Sequence, residues 1–228
     1  MISDRLNEVE EIIEKKCSEC GRIRSDIILI AVSKTQPIDV LLQAVDAGIQ
    51  NFGENKAKEL QNKYESISGN VKWHFIGHLQ TNKVKYIINA SEYIHSVDSI
   101  RLAEEINIKA EALNKRQKIL LEIKTSDETA KLGLERETEI YNTVEFCKNA
   151  GNLDLIGLMT MAPYTNEKSI IRNCFIKLRD LKEKLNKSGF DLRELSMGMT
   201  NDYELAIEEG ATMLRIGTAL FGEKIINK

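Results

Sequence analysis

Short apolar runs alternate with longer amphipathic stretches from residue 27 to residue 216, and no linker or low-complexity tract breaks the rhythm. The runs near 27–33, 49–53, 71–76, 92–96, 118–124, 153–159, 191–196 and 212–216 have the length and apolar density of buried strands. The segments near 38–47, 54–65, 80–89, 99–115, 136–150, 167–187 and 200–209 carry apolar residues at helical spacing. One such face holds Leu102, Ala103, Ile106, Ala110 and Leu113, and another Ile171, Cys174, Leu178, Leu181 and Leu185. A further helix precedes the first strand, with Ile2, Leu6, Val9, Ile13, Cys17 and Cys20 along one side. Alternation of this kind is the signature of βα units, and eight of them predict a single (β/α)8 TIM barrel with an extra N-terminal helix. An open doubly wound sheet shares the alternation and is the alternative.

Turn chemistry falls in the gaps. Asp98-Ser99, and Asn201 followed by Glu204, are helix-start signals, while Gly48, Gly151, Gly189 and Gly210 stand where helices stop. In the first strand Ile28, Ile30, Val32 and Lys34 share one parity; if the even positions face the barrel interior, Lys34 sits at its mouth.

With 228 residues and 42% hydrophobic content, the chain supports one sizeable core, so one domain over residues 1–228 is expected. Acids and bases nearly cancel to a formal net charge of -3, which favours neither nucleic acid nor a membrane surface as partner. The first residues lack the apolar core of a secretion signal, so a cytoplasmic protein is expected. Cys17 and Cys20 have ligand-like spacing, but no second pair completes a zinc site and both fall on the apolar side of the first helix. Cys147 and Cys174 also share helix faces with apolar residues, so the thiols read as packing.

Lys34 closes an apolar strand and precedes Thr35-Gln36-Pro37. A lysine at the carboxyl end of a barrel strand, walled by apolar groups, can be a Schiff-base nucleophile; a solvated strand-end lysine is the plainer alternative. The second anchor lies near the end of the chain. Ser196 and Gly198 are expected to follow strand seven, and Gly217 and Thr218 to follow strand eight, where loops of this fold often bind phosphate through main-chain amides. Arg215, in an otherwise apolar strand, must meet a ligand or an internal carboxylate. Asn55, after Phe52-Gly-Glu, could donate a hydrogen bond into the mouth. His74 reads as a core histidine, His78 as a loop residue within reach of the mouth, and His95-Ser-Val-Asp98 as strand exit and helix cap. A lysine facing a phosphate pocket made of amides suits pyridoxal 5′-phosphate better than any other small ligand, because it carries an aldehyde and a phosphate together.

Ala31-Val-Ser-Lys34, Phe52-Gly-Glu-Asn55, Trp73-His-Phe-Ile-Gly77 with Leu79-Gln80 and Asn82-Lys83, Gly157-Leu-Met-Thr-Met161, Ser196-Met-Gly-Met199 and Arg215-Ile-Gly-Thr218 together resemble the signature set of the pyridoxal phosphate homeostasis protein family. That family is similar to the barrel domain of alanine racemase and of fold type III decarboxylases. The resemblance implies that Lys34 carries pyridoxal phosphate as an internal aldimine. It implies that Ser196, Gly198 and Met199 line the phosphate, that Gly217 and Thr218 complete the cup, that Arg215 faces the pyridine nitrogen, and that Asn55 lies beside the cofactor. Thr200-Asn201 departs from the serine and acid frequent in the family, although threonine keeps the hydroxyl. The stretch Lys124 to Gly133 follows the usual strand-five exit only loosely, which leaves Lys131 without an assigned role.

Two functions compete on this footing. One is a non-catalytic, monomeric carrier that holds pyridoxal phosphate, serves vitamin B6 balance and has pyridoxal-phosphate-dependent apo-enzymes as candidate partners. The other is an amino-acid racemase or decarboxylase of the same fold type. Racemisation wants an acid/base group on each side of the α-carbon. Lys34 can be one, no second is evident, and the six residues after Gly222 leave no room for the further domain that supplies it in racemases, so the carrier is expected. An aldolase-like barrel whose lysine attacks a sugar-phosphate carbonyl is a third reading; it would be colourless.

Overall fold

Strand-to-strand pairing runs parallel and in chain order through eight strands until the last meets the first, so the sheet closes into a barrel. The computed structural model describes residues 1–126 and 132–222; Lys131 lies outside the described residues. Helix α1 (Ile2–Glu19) leads into β1 (Ile28–Val32), α2 (Ile38–Asp46), β2 (Asn51–Glu54), α3 (Ala57–Ser66) and β3 (Lys72–Phe75). A short 3₁₀ turn and α4 (Val84–Ile87) follow, then β4 (Ser91–Val97), α5 (Ile100–Glu111), β5 (Gln117–Glu122), α6 (Glu137–Asn149) and β6 (Leu153–Met159). The chain then runs through α7 (Lys168–Lys187), β7 (Glu194–Met199), α8 (Tyr203–Glu208), β8 (Met213–Ile216) and α9 (Thr218–Phe221).

The two faces of β1 explain why its sequence is apolar at both parities. Ile28 and Ile30 point inward with Leu120, Ile156, Met159, Met213 and Tyr93, while Leu29 and Ala31 join the larger layer between sheet and helices. Val9, Ile13 and Cys17 bury one side of α1 in that layer. Burial pushes the Cys147 thiol up to about 12, as a packed sulfur requires. Cys20 differs from expectation: it is the exposed residue where α1 ends and the chain turns to solvent.

Several boundaries differ from those read in the sequence. The expected helix at 80–89 shrinks to a 3₁₀ turn and the four-residue α4. Ser99 caps α5 as expected, its hydroxyl accepting from the Leu102 N–H at 3.3 Å. Helix α8 starts later than Asn201, with Asp202 at its N-cap. The correction with most consequence is at β7, which continues through Met199. Ser196 and Gly198 are therefore strand residues, not loop residues beyond it. A serine and a glycine after Leu195 look like turn chemistry, yet the serine is tied down by hydrogen bonds across the lumen. Among the described residues no helix is long and apolar enough to cross a membrane.

Candidate functional site

At the carboxyl ends of the strands lies a cavity of about 600 Å³, a size suited to a small cofactor. Lys34 after β1, Asn55 after β2, Met161 after β6, Met199 at the end of β7, and Arg215, Gly217 and Thr218 from β8 and its exit all line it. Thr200, not singled out as a ligand-binding residue from sequence, lines it too, and its Oγ1 accepts from the Ala219 N–H at 3.5 Å. Ser196 and Gly198 do not border the cavity; they form the wall behind it.

Lys34 is exposed at the mouth, without the apolar enclosure expected from sequence. Its two neighbours are held from below. The Lys63 ammonium of α3 donates to the Ser33 carbonyl at 2.8 Å, to Glu54 Oε1 at 2.7 Å and to Glu59 Oε1 at 2.8 Å. The Ser33 hydroxyl also donates to Glu54 Oε1 at 2.5 Å, and Glu59 accepts the Thr35 N–H. Thr35 has φ 64°, in the left-handed region that disfavours a β-branched residue, so the clamp holds a strained turn on the far side of Lys34. Glu54 and Lys63 are both buried, and burial pushes the Glu54 carboxyl up despite the Lys63 and Ser33 hydrogen bonds that act against it.

Asn55 owes its place to a glycine. A Cβ on Gly77 would lie 2.3 Å from the Asn55 carbonyl oxygen and 2.7 Å from its Cα, so only glycine lets the β3 exit pass this close. Asn55 Oδ1 is buried and has no partner among the described residues, so the group left open there is an acceptor and not the donor expected from sequence.

Arg215 is 4% exposed and burial lowers its pKa to about 10, with Asp202 and Glu122 opposing that shift. Sequence reasoning demanded a carboxylate or a ligand for it. Asp202 and Glu122 meet that demand through charge, while its direct hydrogen bonds go to neutral groups: NH1 donates to the Ser196 carbonyl at 3.0 Å and hydroxyl at 2.7 Å, and NH2 to the Thr160 carbonyl at 2.8 Å. Behind it, His95 Nδ1 lies 2.9 Å from Ser196 Oγ, His95 Nε2 lies 2.9 Å from His74 Nδ1, and His74 Nε2 lies 3.1 Å from Asn51 Oδ1. His74 is thus the core histidine expected. His95, read as a strand exit, is inside β4 and fully buried. His78 is exposed and sits 3.6 Å from Asp98, outside the cavity.

Gly198 has φ +94°, and a Cβ there would meet the Ala206 Cβ at 2.6 Å, so its role is to let α8 pack against β7. The Met199 N–H donates to Asp202 Oδ1 at 2.5 Å, folding the chain back at the cavity rim.

The alanine racemase N-terminal domain family matches residues 22–224. A pyridoxal phosphate homeostasis protein of Aquifex aeolicus is 41% identical over 223 residues, covering 97% of each chain. The chain belongs to the pyridoxal phosphate homeostasis protein family. The member from Escherichia coli K12 is 34% identical over 236 residues, with 100% of this chain and 98% of that one covered. Among solved structures, PipY of Synechococcus elongatus with PLP bound superposes with a TM-score of 0.85 at 31% identity, over 97% of this chain and 100% of that one. An alanine racemase of Clostridium difficile shares the barrel alone, with a TM-score of 0.79 at 15% identity over 99% of this chain and 57% of that one.

Proposed function

We propose that this member of the family binds pyridoxal 5′-phosphate in the cavity, holds it covalently through Lys34, and serves intracellular vitamin B6 balance without substantial catalytic turnover. The observation that carries the reading is that Lys34, Asn55, Arg215 and the Gly217-Thr218 turn, drawn from three separate strand ends, open on one cavity of cofactor size. The donor set fits the group. The amine of Lys34 suits its aldehyde, the main chain and hydroxyls at Thr200 and Thr218 suit its phosphate, and the unpartnered Asn55 amide oxygen, an acceptor, suits the ring hydroxyl. Arg215, which cannot readily give up its proton, suits an unprotonated ring nitrogen. When bound, the cofactor supplies an electron-withdrawing ring; an arginine at its nitrogen leaves that ring a weak electron sink.

Ser196 and Gly198 enter this proposal as wall residues, with Met199 and Thr200 at the surface the phosphate would meet. Support for a carrier comes from the homeostasis name shared by full-length relatives and from the chemistry of the lining. Asp202, an acid on the cavity wall, accepts the Met199 N–H through Oδ1 and so helps to shape the rim. The test is spectroscopic. The protein loaded with pyridoxal phosphate is expected to be yellow, Lys34→Ala to lose that absorbance, and amino acids to show no saturable turnover. Steady turnover of an amino acid that disappears in Lys34→Ala would replace the carrier with a racemase or decarboxylase.

A further inference from the structure

We infer that Ser196, His95, His74 and Asn51 form one proton-ordered relay across the barrel lumen, whose task is to hold Arg215 as a fixed donor to the cavity. The relay joins β8, β7, β4, β3 and β2, and none of its four members borders the cavity. Its order follows from its two ends. A guanidinium only donates, so Ser196 Oγ accepts from Arg215 and has its own proton to place elsewhere. An amide oxygen only accepts, so Asn51 Oδ1 requires the proton of His74 to be on Nε2.

The middle of the relay is then determined by charge. Burial drives the pKa of His74 down to about 3 and that of His95 well below the usual range. The charged groups facing them oppose a charged ring: Lys72 and Lys118 lie towards His74 and Arg215 lies towards His95, while Tyr93 stacks on His74 at 4.4 Å. Glu92 on β4 is paired with Lys118 at 2.6 Å. With both rings neutral, His74 Nδ1 is bare and accepts from His95 Nε2–H. His95 Nδ1 is bare in turn and accepts the Ser196 hydroxyl proton. Each hydroxyl and ring proton in the relay is used once and every link points the same way, from Arg215 to Asn51, so each bond polarises the next.

The consequence for the site is geometric. The Thr160 carbonyl and the Ser196 carbonyl and hydroxyl lock the guanidinium. The relay then keeps the Ser196 hydroxyl from turning its proton towards Arg215, where two donors would collide. His95, His74 and Asn51 are therefore positioning residues for whatever acceptor Arg215 meets. This rests on the proposal that the acceptor is the ring nitrogen of pyridoxal phosphate.

The experiment is long-range proton–nitrogen NMR on ¹⁵N-histidine protein without cofactor, with the exposed His78 replaced in His78→Gln so that two rings remain. Both rings are expected to be neutral Nε2–H tautomers, unchanged between about pH 5 and pH 8. A proton on Nδ1 of either ring, or a ring that titrates in that window, overturns the relay. A second arm measures pyridoxal phosphate affinity. Asn51→Leu removes the acceptor end and is expected to weaken binding about tenfold, with attachment still at Lys34. Asn51→Asp keeps an acceptor and is expected to restore it. Unchanged affinity in Asn51→Leu overturns the positioning role. Failure of the wild-type protein to bind pyridoxal phosphate would sink the proposed function instead, while the tautomers would still decide the relay.

Discussion

Replacing Lys63 by methionine tests how Lys34 is held, because the clamp beneath it depends on one buried ammonium. Lys63→Met keeps the length of the side chain and removes three hydrogen bonds at once, to the Ser33 carbonyl, Glu54 and Glu59. Glu54 is fully buried, so it is left as an unpaired carboxylate inside the barrel wall. Breaking a buried ion pair on one side costs about 3–5 kcal/mol. For a chain of this length, each kcal/mol moves the thermal midpoint by about 2–4 °C, so the loss should be about 6–20 °C. The double variant with Glu54→Gln removes the stranded charge and should recover much of it, a coupling readable in a double-mutant cycle.

The pH dependence of Lys63→Met has a definite sign. Burial raises the folded-state pKa of Glu54 above its unfolded value. Between the two values the folded protein binds the extra proton, so stability is present at low pH and lost as pH rises through the folded pKa. The deficit of Lys63→Met should therefore be smaller in acid than at neutral pH. The assay is thermal unfolding followed by circular dichroism across that range. A midpoint within 2 °C of wild type, or a double variant no better than the single one, would refute the clamp.

Two further outcomes follow from single residues. Glu122 is buried, and desolvation raises its carboxyl pKa from the ordinary 4.5 to about 7 against the opposing pull of Arg215, so ionising it in the folded protein costs on the order of 3 kcal/mol. Since its folded pKa is the raised one, stability is lost as pH climbs from 4.5 through 7, so Glu122→Gln should be more stable than wild type at pH 8 and indistinguishable at pH 4, which chemical denaturation at the two pH values will read. Gly198→Ala combines a left-handed backbone with a Cβ 2.6 Å from Ala206, and should lower stability by about 2–5 kcal/mol in the same denaturation assay, whereas a loss under 1 kcal/mol would show that α8 can shift away.

What could be read from the sequence divides along a physical line. Strand and helix order follow from periodic burial, which leaves a local trace, and the meeting of Lys34 with Gly217 and Thr218 at one mouth follows from the shared face of barrel strand ends, whereas β1, apolar at both parities, leaves the inward set of Ile28 and Ile30 undecided in the sequence. The relay and the clamp do not. His95 sits 101 residues from its partner Ser196, and Lys63 is 30 residues from Ser33, so their roles exist only after the barrel closes. Ser196 was misplaced for a related reason. A polar residue at a strand end carries the composition of a loop, and only its bonds to Arg215 and His95 make it part of the interior. Lys63 was equally hidden, since a lysine on an amphipathic helix ordinarily faces water.

The central claim is that Lys34 tethers pyridoxal phosphate. The direct measurement is borohydride reduction of the loaded protein, followed by digestion and mass spectrometry of the lysine peptides. The cofactor should be fixed on the peptide containing Lys34, with no label in Lys34→Ala. Label on another lysine, or undiminished label in Lys34→Ala, would contradict the account.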